Sequence, residues 1–206
     1  MKSFILASLL SSASAFAPQS SSSSPRNAAG VGVQLGAAID SMPGSINFLR
    51  KPFVFDPLKL AETYEPLLPW FRESELRHGR TAMLAVPGFI IQDLIRLPGD
   101  AYSFENIPKT IDAHDKLWSM GIASPMTQLL LFIGLWDIVV TGPAALAAHQ
   151  GKREPGDFGW HKFKPSDPEK YKAKVDSELL NGRLAMIAVG GIATQSIITG
   201  HGFPYI

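Results

Sequence analysis

Ser74-Glu75-Leu76-Arg77-His78-Gly79-Arg80-Thr81-Ala82-Met83-Leu84-Ala85-Val86 returns later in the chain as Ser177-Glu178-Leu179-Leu180-Asn181-Gly182-Arg183-Leu184-Ala185-Met186-Ile187-Ala188-Val189. The copies are offset by 103 positions with no gap, and the register continues at Gly88 and Gly191, Gln92 and Gln195, and Ile95 and Ile198. Repetition at a fixed offset sets the architecture before any local reading. Here it predicts two equivalent helices.

Each copy carries a carboxylate and a guanidinium into a mostly apolar helix. Glu75 and Arg80 are five apart, about 140° around a helix of 3.6 residues per turn, so they do not form an (i, i+4) pair. Glu178 and Arg183 have the same spacing. Two such helices crossing can exchange partners, Glu75 with Arg183 and Glu178 with Arg80, which balances four charges that lipid would penalise if alone. Gly79, Ala82, Ala85 and Gly88, with Gly182, Ala185, Ala188 and Gly191 opposite, let the backbones approach. A paired glutamate keeps an oxygen for a hard cation such as magnesium. His78 and Asn181, three residues after each glutamate, add an imidazole and an amide on the same face.

At these residues the chain resembles the light-harvesting chlorophyll-binding proteins of thylakoids. The pattern Glu-x-x-His/Asn-x-Arg-x-Ala-Met on the first and third membrane helices carries the likeness, which covers about residues 50–200. The resemblance implies an all-α membrane protein of three transmembrane helices, the first and third a pseudo-twofold crossed pair. It implies that Glu75, His78, Glu178 and Asn181 bind chlorophyll magnesium, and that Arg80 and Arg183 are the interhelix partners of the glutamates. Gln195, twelve after Arg183, stands where the family has a glutamine ligand, and Gln128 matches the ligand of its middle helix. Eight residues after Gln128 the family often has a glutamate; here Trp136 stands there and the carboxylate is Asp137. Two readings of Asp137 stay open, a ligand or a carboxyl that is protonated or hydrogen-bonded to a neighbour. Gln92, the mate of Gln195, is a ligand or a donor to a carbonyl.

Taken in order, the chain supports that layout. Residues 1–39 contain no Asp or Glu. Lys2, an apolar run at 4–10 and Ala13-Ser14-Ala15 have the parts of a secretory signal peptide, expected at 1–15. A serine-rich stretch at 16–37 has transit-peptide composition, and the two together, joined at Ala15-Phe16-Ala17-Pro18, resemble the import signal of complex red-lineage plastids such as those of diatoms. Plain secretion with a serine-rich linker is the alternative. The antenna domain is expected at 38–206, with mature sequence starting between positions 31 and 41.

Residues 40–72 are expected to be loop-like, with Phe53-Val54-Phe55-Asp56-Pro57-Leu58 resembling the surface segment before the family's first helix, and Trp70 and Phe71 as interfacial aromatics. Helices are expected at about 73–97, 124–146 and 176–200. The first and third are marginal spans unless their charged turns are paired, whereas residues 117–136 are 20 positions without a formal charge. Pro125 suits a first turn after Ser124, and Pro87 removes one hydrogen bond from the first helix. Seven Lys or Arg within 147–174 face three within 96–116. The positive-inside rule then puts the second loop and the N-terminus in the stroma and the C-terminus in the lumen. Gly156-Asp157-Phe158-Gly159-Trp160 resembles the stretch before the family's third helix. The short tail at 201–206 lacks the amphipathic helix of green-lineage members.

Composition narrows the classes. Net charge is +1 across 206 residues, which gives no electrostatic case for nucleic acid. The absence of Cys removes thiolate metal sites and cysteine nucleophiles. Only 18% of residues are charged, below the quarter usual in soluble domains. By resemblance, the cofactors are chlorophyll a, chlorophyll c, fucoxanthin and other carotenoids. The partners are the thylakoid membrane, a photosystem I or II core and other antenna subunits, and the protein is not an enzyme. Two competing readings are a stress-type family member that dissipates excitation as heat and a small membrane transporter with paired intramembrane charges.

Overall fold

The computed structural model describes residues 42–45, 49, 53–159 and 164–206. The expected signal and transit segments, the start of the mature chain and Trp160 lie outside these residues.

The regular structure among the described residues is all helical, with no strand. The helices are α1 (Leu60–Thr63), α2 (Leu68–Leu94), α3 (Ala113–Trp118), α4 (Pro125–His149) and α5 (Pro168–Thr199). Short 3-10 turns occupy Glu65–Leu67, Asp100–Tyr102 and Thr110–Asp112.

The expected boundaries need correction at two starts. Residues 60–72 are not loop: the chain is already helical at α1, and α2 begins five residues before Glu73. Pro66 and Pro69 fall in first turns, where a missing N–H costs nothing. The third helix starts at Pro168, not Asp176. Asp167 caps it by accepting from Glu169 N at 3.0 Å, with Pro168 and Glu169 in the first turn. α5 is therefore 32 residues, about 48 Å, and its Lys-bearing start exceeds a hydrocarbon core of about 30 Å. Gly200 ends it at φ 72°, a left-handed cap.

The uncharged run at 117–136 is broken between Trp118 and Pro125, where Gly121 has φ 101°. Ser124 then caps α4 by accepting from Thr127 N at 3.2 Å. Inside α4 the turn at Asp137–Thr141 is a π turn, with Gly142 N donating to Asp137 O. Its cause is Pro143, which has no N–H to give and whose ring would clash in a regular turn. A Cβ on Gly142 would lie 3.1 Å from Asp137 O, so a glycine suits the close approach.

Two helices, α4 and α5, are long and apolar enough to cross a membrane by length and composition. Only 6% of the most apolar window of α4 is buried, so it is not the core helix of a soluble domain. Leu130, Leu131, Phe132 and Leu135 all face outward. α2 is as long as a span but carries Arg72, Glu73, Glu75, Arg77 and Arg80 in its first half.

α2 packs most heavily on α5. The helices meet at Gly79 and Gly182, where a Cβ on either would sit 3.0 Å from the other's Cα. Leu76, Ala82, Leu179 and Ala185 are buried around that point. Gly88 and Gly191, expected in the same seam, are not in it: a Cβ there would meet nothing within 4 Å. The small-residue contact is centred on Gly79 and Gly182 and does not extend to Gly88 and Gly191.

Candidate functional site

The two repeats place their charged residues across the α2–α5 contact. Arg183 Nε donates to Glu75 Oε1 at 2.7 Å, and Arg80 Nε donates to Glu178 Oε1 at 2.6 Å. These are the exchanged pairs that the five-residue spacing anticipates. All four side chains are about one-third exposed, so each pair is held in the contact yet open on its outer side.

The two glutamates are not equal. Glu178 Oε2 has no hydrogen-bond donor among the described residues, whereas Glu75 Oε2 accepts from Arg72 Nη1 at 2.7 Å. The expectation that each paired glutamate keeps an unengaged oxygen therefore fits Glu178 and is corrected at Glu75. A carboxylate oxygen has two lone pairs, so Glu75 remains a donor, but a weakened one.

His78 and Asn181 are oriented by the same device. His78 Nδ1 donates to Ser74 O at 2.8 Å, and a carbonyl only accepts, so the proton is on Nδ1 and Nε2 keeps its lone pair. Asn181 Nδ2 donates to Ser177 O at 2.8 Å, which leaves its amide oxygen outward. Gln128 is similar: Nε2 donates to Ala123 O at 3.1 Å and Oε1 is left. A bond on one side of a ligand that fixes the donor atom on the other is the usual support of a metal site. Gln195 and Gln92 are exposed on α5 and α2.

Asp137 lies on α4 and pairs with Arg77 of α2 through Asp137 Oδ2 and Arg77 Nη2. Of the open readings, the neighbouring donor is present. A cavity of about 780 Å³ opens beside this pair, lined by Ser74, Arg77, His78 and Ala85 of α2, Thr141 and Ala145 of α4, and Met186 and Val189 of α5.

Sequence reasoning missed the residues that brace these groups. Glu73 is buried; its Oε2 accepts from Gly156 N at 2.6 Å and Arg153 Nη2 lies 2.8 Å from Oε1. Asp176 is buried and accepts from Gly44 N at 2.8 Å. Gly44 and Gly156 have φ 80° and 79°, each directly after a proline. Arg183 Nη1 also donates to Gly44 O at 2.7 Å. The signal was available: Glu73 and Asp176 extend the 103-position repeat by one residue, and Pro-Gly precedes both helices.

Outside the helices, Asp157 Oδ2 accepts from Lys164 Nζ at 2.7 Å, and this bond holds the Lys164 ammonium above its usual range. At the other end Asp93 accepts from Thr110 N, Thr110 Oγ1 and Phe203 N at 2.7–2.9 Å, which ties the C-terminal tail to the end of α2.

Among the described residues no group of three or more His, Asp or Glu forms a cage for a bare ion. The donors stand on the outer faces of helices, each with one outward lone pair. That set would suit a magnesium that already has most of its ligands from elsewhere and needs one further oxygen or nitrogen donor.

The family model described as chlorophyll A-B binding protein matches residues 39–197. A fucoxanthin-chlorophyll a-c binding protein, chloroplastic, of Chattonella marina var. antiqua is 31% identical over 96% of this chain and 88% of its own length. Fucoxanthin-chlorophyll a-c binding protein F, chloroplastic, of Phaeodactylum tricornutum is 36% identical over 92% of each chain. A light-harvesting complex stress-related protein 3.2, chloroplastic, of Chlamydomonas reinhardtii is 33% identical over 84% of this chain and 70% of its own length. On this match, and with the reciprocal glutamate–arginine pairs of α2 and α5, the chain belongs to the chlorophyll a-b binding protein family.

Proposed function

We propose that the protein is a light-harvesting antenna subunit of the plastid thylakoid, which binds chlorophylls and carotenoids and passes excitation to a photosystem. The observation that carries this reading is the matched pair of braced donors, His78 on Ser74 O and Asn181 on Ser177 O, beside Glu75 and Glu178. Magnesium of chlorophyll is held by Glu75, His78, Glu178, Asn181, Gln128 and Gln195. The pigment supplies absorption; the chain supplies position. Arg80 and Arg183 balance the glutamates, the Gly79–Gly182 contact fixes the spacing of the two sets, and the apolar helix faces exclude water. No bond is made or broken.

α2 is the third span. Its charged half is paired throughout: Arg72 with Glu75, Glu73 with Arg153, Glu75 with Arg183, Arg77 with Asp137 and Arg80 with Glu178. Pairing removes most of the cost that bars charge from lipid. With α4 and α5 this makes three membrane helices, the basic second loop and the N-terminus stromal and the C-terminus lumenal. Residues 1–37 serve as a two-part plastid import signal. The names of the relatives support chlorophyll a, chlorophyll c and fucoxanthin as the pigments. Partners are a photosystem I or II core and other antenna subunits. Absorption spectroscopy with pigment chromatography of the native complex tests the assignment; a colourless purified protein overturns it.

The stress-related relative supports a second reading, a subunit that dissipates excitation as heat. Fluorescence lifetime at low pH in detergent separates the two: a harvester keeps its lifetime, and a dissipater shortens it.

A further inference from the structure

The two arginines that cross between α2 and α5 are anchored differently. Arg183 has a second hold: beyond Glu75, it donates from Nη1 to Gly44 O at 2.7 Å. Arg80 donates to Glu178 through Nε and, among the described residues, makes no second hydrogen bond. A guanidinium held through Nε alone can pivot about that bond, and the carboxylate it grips can turn with it. What stands beside Arg80 is an aromatic ring. Its guanidinium carbon lies 5.9 Å from the ring centroid of Phe158, in the loop that leads into α5.

We propose that Phe158 is a positioning residue for the pigment ligand Glu178. The ring face holds the Arg80 guanidinium, and Arg80 then holds Glu178 with Oε2 unengaged. The inference rests on the chlorophyll-binding reading and adds to it a residue that acts through Arg80.

Three observations carry it. First, the ring is itself held in place. The Arg153 guanidinium carbon lies 5.0 Å from the same centroid. Arg153 is tied at each nitrogen: Nε donates to Ala144 O at 2.9 Å, Nη1 donates to Asp157 O, and Nη2 lies 2.8 Å from Glu73 Oε1. Two residues before Phe158, Gly156 N donates to Glu73 Oε2. Second, the same loop crowds the far end of Arg80. A Cβ on Gly156 would lie 3.2 Å from Arg80 Nη2, so only a glycine there lets the guanidinium reach the ring. Third, the chemistry suits the task. An aromatic face attracts a planar cation without bringing a charge of its own. A carboxylate in its place would compete with Glu178 for Arg80; a ring leaves the whole charge to Glu178. Phe158 is 43% exposed, so core packing alone does not account for its position.

The test uses the full mature chain refolded with total pigment extract in detergent. The double variant Arg80→Leu/Glu178→Leu, which leaves no lone charge, marks the pigment at Glu178 by the absorption band it lacks. Release of each band on detergent dilution is then followed. In Phe158→Leu the marked band should be lost about two- to fivefold faster than in the wild type, the weight of one exposed cation–π contact, while the other bands keep their rates. Phe158→Tyr keeps the ring face and should restore the wild-type rate. Should the double variant not refold, the criterion is that a single band responds to Phe158→Leu and recovers in Phe158→Tyr. Wild-type release of that band from Phe158→Leu, or faster release of every band together, overturns the proposal and leaves the ring a packing residue. Failure of both Phe158→Leu and Phe158→Met to refold also overturns it, since the ring would then be an element of folding. A refolded double variant that lacks no band overturns instead the ligand role of Glu178. A wild-type chain that takes up no pigment overturns the proposed function, and this inference with it.

Discussion

Glu73 and Asp176, 103 positions apart, each accept the backbone N–H of a left-handed glycine that follows a proline, Gly156 for Glu73 and Gly44 for Asp176. Both carboxylates are buried, and both glycines press on the equivalent leucines: a Cβ on Gly156 would lie 2.5 Å from Leu76 Cδ1, and one on Gly44 2.8 Å from Leu179 Cδ1. The repeat therefore includes the loops that enter its helices. Each loop is pinned by its glycine to the N-terminal half of the neighbouring helix, close to the arginine that crosses to the other.

Neutralising one of these carboxylates should leave a guanidinium without its anion while an oxygen acceptor for the loop glycine remains. Glu73→Gln leaves the Arg153 guanidinium buried without its anion, and breaking a buried pair costs about 3–5 kcal/mol. Thermal loss of pigment circular dichroism should come several degrees earlier than in the wild type. An unchanged transition would show that the pair contributes nothing.

The unequal glutamates should behave unequally. Glu75→Gln strips a partner from both Arg183 and Arg72, whereas Glu178→Gln strips one only from Arg80. Refolding yield with pigment should fall further for Glu75→Gln. Arg72→Leu, conversely, frees Glu75 Oε2 to act as an unengaged donor, and a chlorophyll held there, as proposed, should then leave more slowly under detergent dilution. Equal yields for the two glutamine variants would contradict the asymmetry.

How much of this was legible beforehand follows from what a repeat can encode. The exchanged pairs of Glu75, Arg80, Glu178 and Arg183 were readable because period and offset are properties of sequence. The brace of His78 was not, since its acceptor is the carbonyl of Ser74 and every residue has a carbonyl. The early start of α5 was written in Asp167-Pro168-Glu169, yet the lysines that follow made it read as loop. Arg77 with Asp137 was out of reach, because nothing local says which helix a lone charge will meet.

His78 and Asn181 should be interchangeable. Both are anchored through a serine carbonyl four residues back and present one outward lone pair. His78→Asn and Asn181→His should each retain the chlorophyll count, while His78→Ala loses one. Ser74→Ala should change little, because the anchor is the backbone. Loss of pigment in both swaps would show that ring and amide are not equivalent at these positions.

The helix contact gives the sharpest contrast between equivalent residue types. Gly79 and Gly88 lie on the same helix and both looked like seam residues. At Gly79 an added methyl would meet the Gly182 backbone at 3.0 Å, and backbone cannot swing aside as a side chain can. Gly79→Ala must separate α2 from α5, lengthening the bonds of Glu75 to Arg183 and of Arg80 to Glu178 together, on top of an overpacking cost of about 1–3 kcal/mol. At Gly88 a Cβ would meet nothing within 4 Å, and replacing a mid-helix glycine by alanine gains about 0.5–1 kcal/mol. Gly79→Ala should therefore fold with less pigment or not at all, and Gly88→Ala should melt at or above the wild-type temperature with its full complement. If Gly88→Ala instead loses pigment while folding normally, a pigment occupies the open space beside Gly88, and that space is itself part of the binding surface.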